Sequence, residues 1–210
     1  MPLPGIESHL LSAPNISGVP YRSFESSSDA QTSAVLIPLY ELPNGDDFEI
    51  ILTLRSQRLL SHSGQISFPG GRTEPGESPE QTALREAFEE TGIKKKNVRI
   101  IGRLSTLYVP PSNTLITPVI GQLTRKSAFK INPSEVAEIL TIKLSELLDR
   151  NNYNRQLRNI RGKEVEVPYW DLRRPTPLWG ATAMILTELL VLYMEFNPNV
   201  DDLFAKSTNC

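Results

Sequence analysis

The sequence is poor in cysteine and has no excess of positive charge. Among its 210 residues the one cysteine is Cys210, at the last position. One cysteine excludes a disulfide framework and a cysteine-ligated metal site within a single chain, which is typical of proteins from a reducing compartment. The formal net charge is −2 and the isoelectric point is about 5.8, so the chain has no basic surplus with which to bind a nucleic-acid polymer.

The sequence also lacks a long apolar run. No run reaches the length needed to span a bilayer, and the N-terminal stretch MPLPGIESHLLS has neither the basic region nor the apolar region of a signal peptide. We therefore expect a cytoplasmic protein without a membrane partner.

The length is sufficient for one hydrophobic core, and no internal repeat is visible. We expect an N-terminal extension over residues 1–30, one domain over residues 31–197 and a C-terminal tail over residues 198–210. The extension is rich in serine and proline, so we expect loose packing there apart from a short helix at Ile6–Leu11.

The sequence does contain one strongly marked helix. Ser78 is a suitable N-cap, Pro79 suits the first helical position, and Gln81 completes a capping box with Ser78. Gly92 is a suitable left-handed stop. These local signals predict a helix of about three and a half turns.

Three carboxylates are expected on one face of this helix. Glu86, Glu89 and Glu90 stand at positions i, i+3 and i+4. The opposite side is apolar and contains Ala83, Leu84, Ala87 and Phe88. Crowded carboxylates repel one another unless a cation lies between them, and all-oxygen ligation favours Mg²⁺ or Mn²⁺. A solvated acidic face would be the better interpretation of an isolated pattern of this kind, so the surrounding motif decides.

The segment GRTEPGESPEQTALREAFEETGI fits the pattern G-x5-E-x7-R-E-U-x-E-E-x-G-U, in which U is apolar. Chance would produce the fixed positions on the order of 10⁻⁹ times per starting point. The pattern resembles that of the Nudix hydrolases. The residues that carry the resemblance are Gly71, Glu77, Arg85, Glu86, Glu89, Glu90 and Gly92, with Ala87 and Ile93 in the apolar positions.

The resemblance implies an α/β fold, an α/β/α sandwich around a mixed β-sheet. It also implies that Glu86, Glu89, Glu90 and the carbonyl of Gly70 bind a divalent metal ion, with Arg85 and Glu77 bracing the loop and the helix. The candidate catalytic residues are Glu86, Glu89, Glu90, Arg85 and Glu135.

A second motif lies between Ile51 and Gly71. It resembles the signature of the coenzyme A pyrophosphatases, a Nudix subfamily, and the matching positions are Leu52, Thr53, Ser56, Gly64, Phe68, Pro69, Gly70 and Gly71. Ile51 replaces leucine, which is a small change, whereas Leu60 replaces an arginine. Because phosphate contacts usually depend on arginine or lysine, Arg55 and Arg58 are candidates to compensate.

The resemblance therefore implies hydrolysis of coenzyme A or its derivatives to 3',5'-ADP and 4'-phosphopantetheine, with a small-molecule diphosphate as the partner. Leu60 gives weight to an alternative substrate, such as ADP-ribose or another nucleoside diphosphate derivative. A non-catalytic Nudix-fold binding module is the third alternative, which loss of a metal carboxylate would favour; none is lost. Pairing of two chains into a homodimer stays open.

Other candidate residues have weaker signals. The general base is Glu89 itself or a carboxylate of the SEVAE loop, Glu135 or Glu138, although both of the latter could equally be surface charges. His62 could contact phosphate, but a lone histidine is more often a loop or packing residue. Tyr108 could stack on a base, although a turn would explain the neighbouring prolines without any ligand.

Hydrophobic periodicity predicts the remaining elements. Strands are expected over residues 34–40, 48–54, 65–68, 98–104, 115–123, 135–142 and 164–169. Helices are expected over residues 145–149 and 177–196, and the second of these is expected to cover one side of the sheet. A membrane-binding or partner-binding helix is the alternative for residues 177–196.

Overall fold

The computed structural model describes residues 2–59, 62–126, 128–174 and 176–205. Leu60 and Cys210 lie outside the described residues. The helices are α1 (Ile6–Leu11), α2 (Pro79–Thr91), α3 (Leu144–Leu148) and α4 (Ala181–Phe196). The strands are β1 (Asn15–Ile16), β2 (Val19–Pro20), β3 (Gln31–Glu41), β4 (Phe48–Arg55), β5 (Ile66–Ser67), β6 (Gly70–Arg72), β7 (Val98–Arg103), β8 (Leu107–Val109), β9 (Thr114–Leu123), β10 (Val136–Lys143), β11 (Tyr153–Ile160), β12 (Lys163–Trp170) and β13 (Leu178–Trp179).

The larger sheet has eight strands and is mixed. Its main order is β10-β4-β3-β9-β7, and the short strands β5, β6 and β8 pair with β4, β3 and β9. Strands β3 and β9 are parallel, whereas β4, β6 and β10 form antiparallel pairs. The mixed sheet that the family resemblance implied is thereby confirmed.

Strand β3 contributes to the core on both of its faces because its side chains alternate. Ala34 and Leu36 pack with Ala83 and Ala87 of α2. Ile37 belongs to the larger core cluster, which also contains much of α4. Helices therefore cover the two faces of this sheet, with α2 on one and α4 on the other, in agreement with the predicted α/β/α arrangement.

Helix α4 begins later than the sequence indicated. Leu178 and Trp179 pair with β12 as strand β13, and Gly180, at a φ of 68°, connects this strand to the helix. The apolar stripe from residue 177 therefore spans a strand and a helix. Within the described ranges, no helix has both the length and the apolar character required to cross a membrane.

A second sheet of five strands has the order β11-β12-β1-β2, with β13 paired to β12. Strand β11 was not predicted. Its sequence YNRQLRNI is mostly polar, and its central apolar residue, Leu157, is 68% exposed. The strand lies at the edge of its sheet, where burial does not impose an alternating apolar pattern.

The N-terminal region packs more tightly than its composition indicates. Helix α1 forms as predicted, and His9 lies buried with its Nε2 2.9 Å from Oε2 of Glu188 in α4. Glu188 also accepts hydrogen bonds from the amides of Gly5 (3.1 Å) and Ser105 (3.1 Å). These contacts fix the N-terminal region to α4.

Candidate active site

Helix α2 begins and ends at the predicted residues. The Ser78 amide donates to Gln81 Oε1 (2.7 Å), and the Gln81 amide donates to Ser78 Oγ (3.3 Å), which completes the capping box. Gly92 ends the helix at a φ of 76°. The two caps fix where the helix begins and where it ends.

The three glutamates of α2 differ strongly in exposure. The exposed fraction of the side chain is 3% for Glu90, 15% for Glu86 and 50% for Glu89. Each residue advances about 100° around a helix, so Glu90 lies beside the apolar stripe that packs on the sheet. Phe88, predicted on the buried side, is 53% exposed because it lies at the far edge of that stripe.

Glu90 is held between the glycine loop and an arginine. Its Oε2 accepts a hydrogen bond from the Gly70 amide (3.2 Å), and its Oε1 lies 3.5 Å from Nη1 of Arg55. Burial raises the pKa of Glu90 to about 7, and the charges of Glu86 and Glu135 act in the same direction against the opposing effect of Arg55. Because burial disfavours the charged form of this carboxylate, a cation beside it would stabilise that form.

Glu86 lies directly against Gly71. A Cβ atom at position 71 would overlap the Glu86 carboxylate, so only glycine allows this approach. Burial is the main cause that raises the pKa of Glu86, and its ion pair with Arg85 opposes the shift. The Gly70 amide therefore binds Glu90, and the lack of a side chain at Gly71 leaves room for the carboxylate of Glu86.

Arg85 connects the loop before α2 to the glutamates. Its Nε and Nη2 donate to the two carboxylate oxygens of Glu77 (2.8 and 3.0 Å). Its Nη1 donates to Glu86 (2.8 Å) and to Glu89 (3.3 Å), and its Nη2 also donates to the carbonyl of Arg72 (2.9 Å). The hydrogen bond from Arg85 is the main reason why the pKa of Glu77 is lowered to about 2.

The loop before β10 brings a fourth carboxylate to the site. The Asn132 amide donates to the carbonyl of Glu90 (3.1 Å), and the Ser56 amide donates to the carbonyl of Glu135 (2.7 Å). The charge of Glu135 contributes to the raised pKa values of both Glu86 and Glu90. We refer to Glu86, Glu89, Glu90 and Glu135 as the acidic cluster.

Glu138, the other candidate in that loop, lies elsewhere. Its carboxylate is exposed and 3.9 Å from Nη1 of Arg174, which is also exposed. A register irregularity in β10 between Val136 and Glu138 accompanies this separation of the two glutamates. The structure thus distinguishes two residues that the sequence left equivalent.

The donor atoms of the acidic cluster suit a hard divalent cation. Across the part of the chain that the structure describes, no three His, Cys, Asp or Glu side chains converge closely enough to hold a metal ion as they stand. Arg85 instead contacts Glu86 and Glu89. The available donors are all oxygen, and a set of this kind suits a hard divalent cation.

A cavity of about 460 Å³ adjoins the acidic cluster. Of the residues that the sequence motifs singled out, the lining includes Gly70, Gly71, Phe68, Arg55, His62 and Tyr108. His62 Nδ1 lies 3.0 Å from Gln65 Oε1, and the Tyr108 hydroxyl donates to Asn113 Oδ1 (3.0 Å). Arg58 is exposed and does not belong to the lining.

Sequence reasoning missed several lining residues. Tyr21, Arg22 and Phe24 reach the cavity from the N-terminal region, and Trp179 reaches it from β13. For the N-terminal residues, the one indication in the sequence was the presence of aromatic residues in an otherwise serine-rich stretch. Their position depends on contacts between residues far apart in the chain, so no local pattern could predict it.

Comparison with known proteins identifies the family. A family model described as NUDIX domain matches residues 31–161. Nudix hydrolase 3 of Caenorhabditis elegans is 32% identical over 213 residues, which cover 91% of this chain and 87% of that protein. An uncharacterized Nudix hydrolase, NudL of Photorhabdus laumondii, is 36% identical over 164 residues, or 78% of this chain and 85% of that protein.

A solved structure shows the same fold at low sequence identity. The crystal structure of RenU, a Nudix hydrolase from M. smegmatis, aligns with a TM-score of 0.56 at 17% identity and covers 86% of this chain and 99% of that chain. The matched domain, the two relatives and the motif from Gly71 to Gly92, which includes α2, all point to one family. The chain belongs to the Nudix family and is a Nudix hydrolase, the enzyme class that its sequence predicted.

Proposed function

We propose that this protein is a divalent-metal-dependent pyrophosphohydrolase that cleaves the diphosphate bond of coenzyme A or its derivatives into 3',5'-ADP and 4'-phosphopantetheine. The observation that carries the proposal is the contact of Glu86 and Glu90 with Gly71 and Gly70 at the edge of a cavity that Arg55 also lines. This arrangement brings acidic side chains, an arginine and space for a ligand together.

The metal-binding part of the proposal assigns Mg²⁺ or Mn²⁺ to Glu86, Glu89, Glu90 and the carbonyl of Gly70. When bound, such a cation neutralises diphosphate oxygens and lowers the pKa of a coordinated water. Glu90, which is 3% exposed, and Glu86, which is 15% exposed, supply carboxylates that bulk water solvates poorly. Both therefore gain more from a cation than exposed carboxylates would.

The protein groups around the cluster have separate tasks. Arg85 and Glu77 hold the helix and its preceding loop in register, and Arg85 orients Glu86 and Glu89. Arg55 binds a phosphate oxygen of the substrate. Glu135 takes the proton of the attacking water, with Glu89 as the other candidate base. The water oxygen bonds to one phosphorus, and the bridging P–O bond breaks with its electron pair remaining on the oxygen of the other phosphate. The products are two phosphate monoesters, 3',5'-ADP and 4'-phosphopantetheine.

The choice of coenzyme A rests on the second motif. Phe68, Gly70 and Gly71 of that motif line the cavity, and Thr53 Oγ1 lies 3.0 Å from Ser67 Oγ behind it. Tyr108 and His62, the other candidate substrate contacts, also line the cavity. Arg58 remains a candidate only if its exposed side chain reaches a substrate group outside the cavity.

Product analysis tests this function. The purified protein is incubated with Mg²⁺ or Mn²⁺ and with coenzyme A, ADP-ribose, NADH or diadenosine polyphosphates in parallel. We expect preferential release of 3',5'-ADP from coenzyme A, loss of release in Glu89→Gln and normal release in Glu195→Gln, which changes an exposed glutamate of α4. Preferential cleavage of another substrate would replace coenzyme A, and absence of cleavage would favour a binding module.

A further inference from the structure

The cavity beside the acidic cluster is lined mainly by apolar side chains. It shares Gly70, Gly71 and Arg55 with the site described above, and its other surfaces come from α4, β13, the β8 region and the N-terminal residues 14–24. A group bound in this cavity would therefore lie next to the position proposed for the diphosphate. The volume of about 460 Å³ is in the range of small-molecule sites.

Most of the polar side chains in this lining already have protein partners. The Thr182 hydroxyl donates to the carbonyl of Ile66 (3.1 Å), and the Tyr108 hydroxyl donates to Asn113 (3.0 Å). Ser67 is hydrogen-bonded to Thr53 (3.0 Å). A ligand rich in hydrogen-bonding groups would therefore find few free donors and acceptors there, whereas an apolar group would find a complementary surface.

The N-terminal segment, residues 14–24, supplies a part of this surface that lies outside the Nudix motif and before the matched domain. Pro14, Tyr21, Arg22 and Phe24 belong to the lining. The Tyr21 amide donates to the carbonyl of Pro14 (2.8 Å), and its hydroxyl donates to the carbonyl of Ile160 in β11 (3.4 Å). The segment is thus held in place as a fixed side of the cavity.

We infer that the N-terminal segment is a specificity element, in which Tyr21 and Phe24 contact a largely apolar substituent carried by the diphosphate of the substrate. The inference rests on the proposed function for the position of the diphosphate beside the acidic cluster. Trp179 and Ala181 contact the same substituent from the other side of the cavity. Substrates whose diphosphate bears only polar groups gain nothing from this surface.

The test is the equilibrium binding of a homologous ligand series, P²-alkyl esters of α,β-methylene-ADP from methyl to octyl, measured by calorimetry in the presence of Mg²⁺. A methylene group replaces the bridging oxygen of the diphosphate in these ligands, so no hydrolysis occurs. We expect the Kd to fall roughly two- to fourfold for each added methylene until the cavity is full. A Kd that does not change with chain length in the wild type would overturn the inference.

Two variants of the N-terminal segment and one control variant test whether the dependence of Kd on chain length arises from Tyr21 and Phe24. In Tyr21→Ala and Phe24→Ala the dependence of Kd on chain length should flatten, while the Kd of the methyl ester should stay within about twofold of the wild-type value. Phe196→Ala removes an aromatic side chain that is 70% exposed and absent from the lining, so its chain-length dependence should equal that of the wild type. An unchanged dependence in both segment variants would overturn the inference.

A third variant keeps the inference testable if the segment variants fold poorly. Ala181→Phe fills the cavity from α4 and should shift the optimal chain to a shorter length. Unchanged preference for long chains in Ala181→Phe would contradict the assigned position. Cleavage of coenzyme A is measured separately, so a protein that binds the alkyl series but cleaves nothing would refute the proposed function and leave the specificity element standing.

Discussion

Arg85 and Glu77 form a bidentate ion pair, in which Nε and Nη2 of one guanidinium donate to both oxygens of one carboxylate at 2.8 and 3.0 Å. The third nitrogen of the same group, Nη1, donates to Glu86 at 2.8 Å. A single planar side chain therefore fixes the loop before α2 and orients a glutamate of the acidic cluster. Only arginine offers donors in this arrangement.

The first prediction concerns Arg85→Lys. Lysine keeps the charge but cannot bind Glu77 and Glu86 together, so Glu86 should lose its fixed orientation. We expect kcat for diphosphate cleavage to fall roughly 10- to 100-fold. The measurement is steady-state kinetics with a circular-dichroism check of folding. Arg125→Lys changes an exposed arginine and serves as the control; equal rates in both variants would contradict the orienting role.

The second prediction concerns the pH dependence of Glu77. Its pKa is lowered from 4.5 to about 2, chiefly by the hydrogen bond from Arg85. A carboxylate whose pKa is lower in the folded state stabilises the fold above its unfolded pKa, and this stabilisation is lost as pH falls through the folded pKa. The Tm difference between wild type and Glu77→Gln should therefore be constant above about pH 5 and should shrink progressively below pH 4.5.

Thermal unfolding of the two proteins at several pH values between 7 and 3 measures this difference. If the Tm difference has the same size at pH 3 as at pH 7, the contribution of Glu77 is not that of an ionised carboxylate. A hydrogen bond that the neutral side chain also makes would then explain its role.

The third prediction concerns Gly71→Ala. The new methyl group would meet the end of the Glu86 side chain, which can move, so we expect the protein to fold with Glu86 displaced. Activity should fall by about tenfold or more, because Glu86 is proposed to hold the cation and a misplacement of about 1 Å in such a site is costly. Gly102→Ala is the control, since a Cβ there would meet nothing within 4 Å. Normal activity in Gly71→Ala would show that the position of Glu86 is unimportant.

The fourth prediction compares the two glutamates of the SEVAE loop. Glu135→Gln should lower kcat by roughly 10²- to 10⁴-fold, the usual contribution of a general base. Glu138→Gln should leave kcat unchanged, because its carboxylate lies near the exposed Arg174 and outside the acidic cluster. Stopped-time product assays under saturating substrate measure both. An equal loss of kcat in the two variants would contradict the choice of Glu135 over Glu138. A normal kcat in the two variants would favour Glu89 as the base.

The features that the sequence predicts well are those determined by neighbouring residues. Ser78, Gln81 and Gly92 specify the ends of α2 through contacts within a few residues, and the structure contains both predicted caps. Strands β3, β4 and β9 are rich in apolar and β-branched residues, so their existence and approximate bounds were also predictable. The mixed sheet followed from the family resemblance rather than from any local signal.

Features that depend on distant contacts were not predictable in the same way. The burial of Glu90 requires knowledge of the loop that carries Gly70, and the tight packing of the N-terminal region depends on the contact of His9 with Glu188, 179 positions away. Strand β11 escaped prediction because its exposed position leaves its residues mostly polar. Phe88 was assigned to the wrong side because spacing alone does not define how wide the buried stripe is.

The most direct test of the central claim is a Mn²⁺ titration of the substrate-free protein, followed by electron paramagnetic resonance of the unbound ion. The claim is that the acidic cluster on α2 and its neighbouring loop holds the divalent cation used in diphosphate hydrolysis. We predict saturable binding in the wild type and in Glu195→Gln, and affinity weakened by about tenfold or more in Glu86→Gln and in Glu90→Gln. Identical binding curves in all four proteins would contradict the account, because the cation would then be held elsewhere.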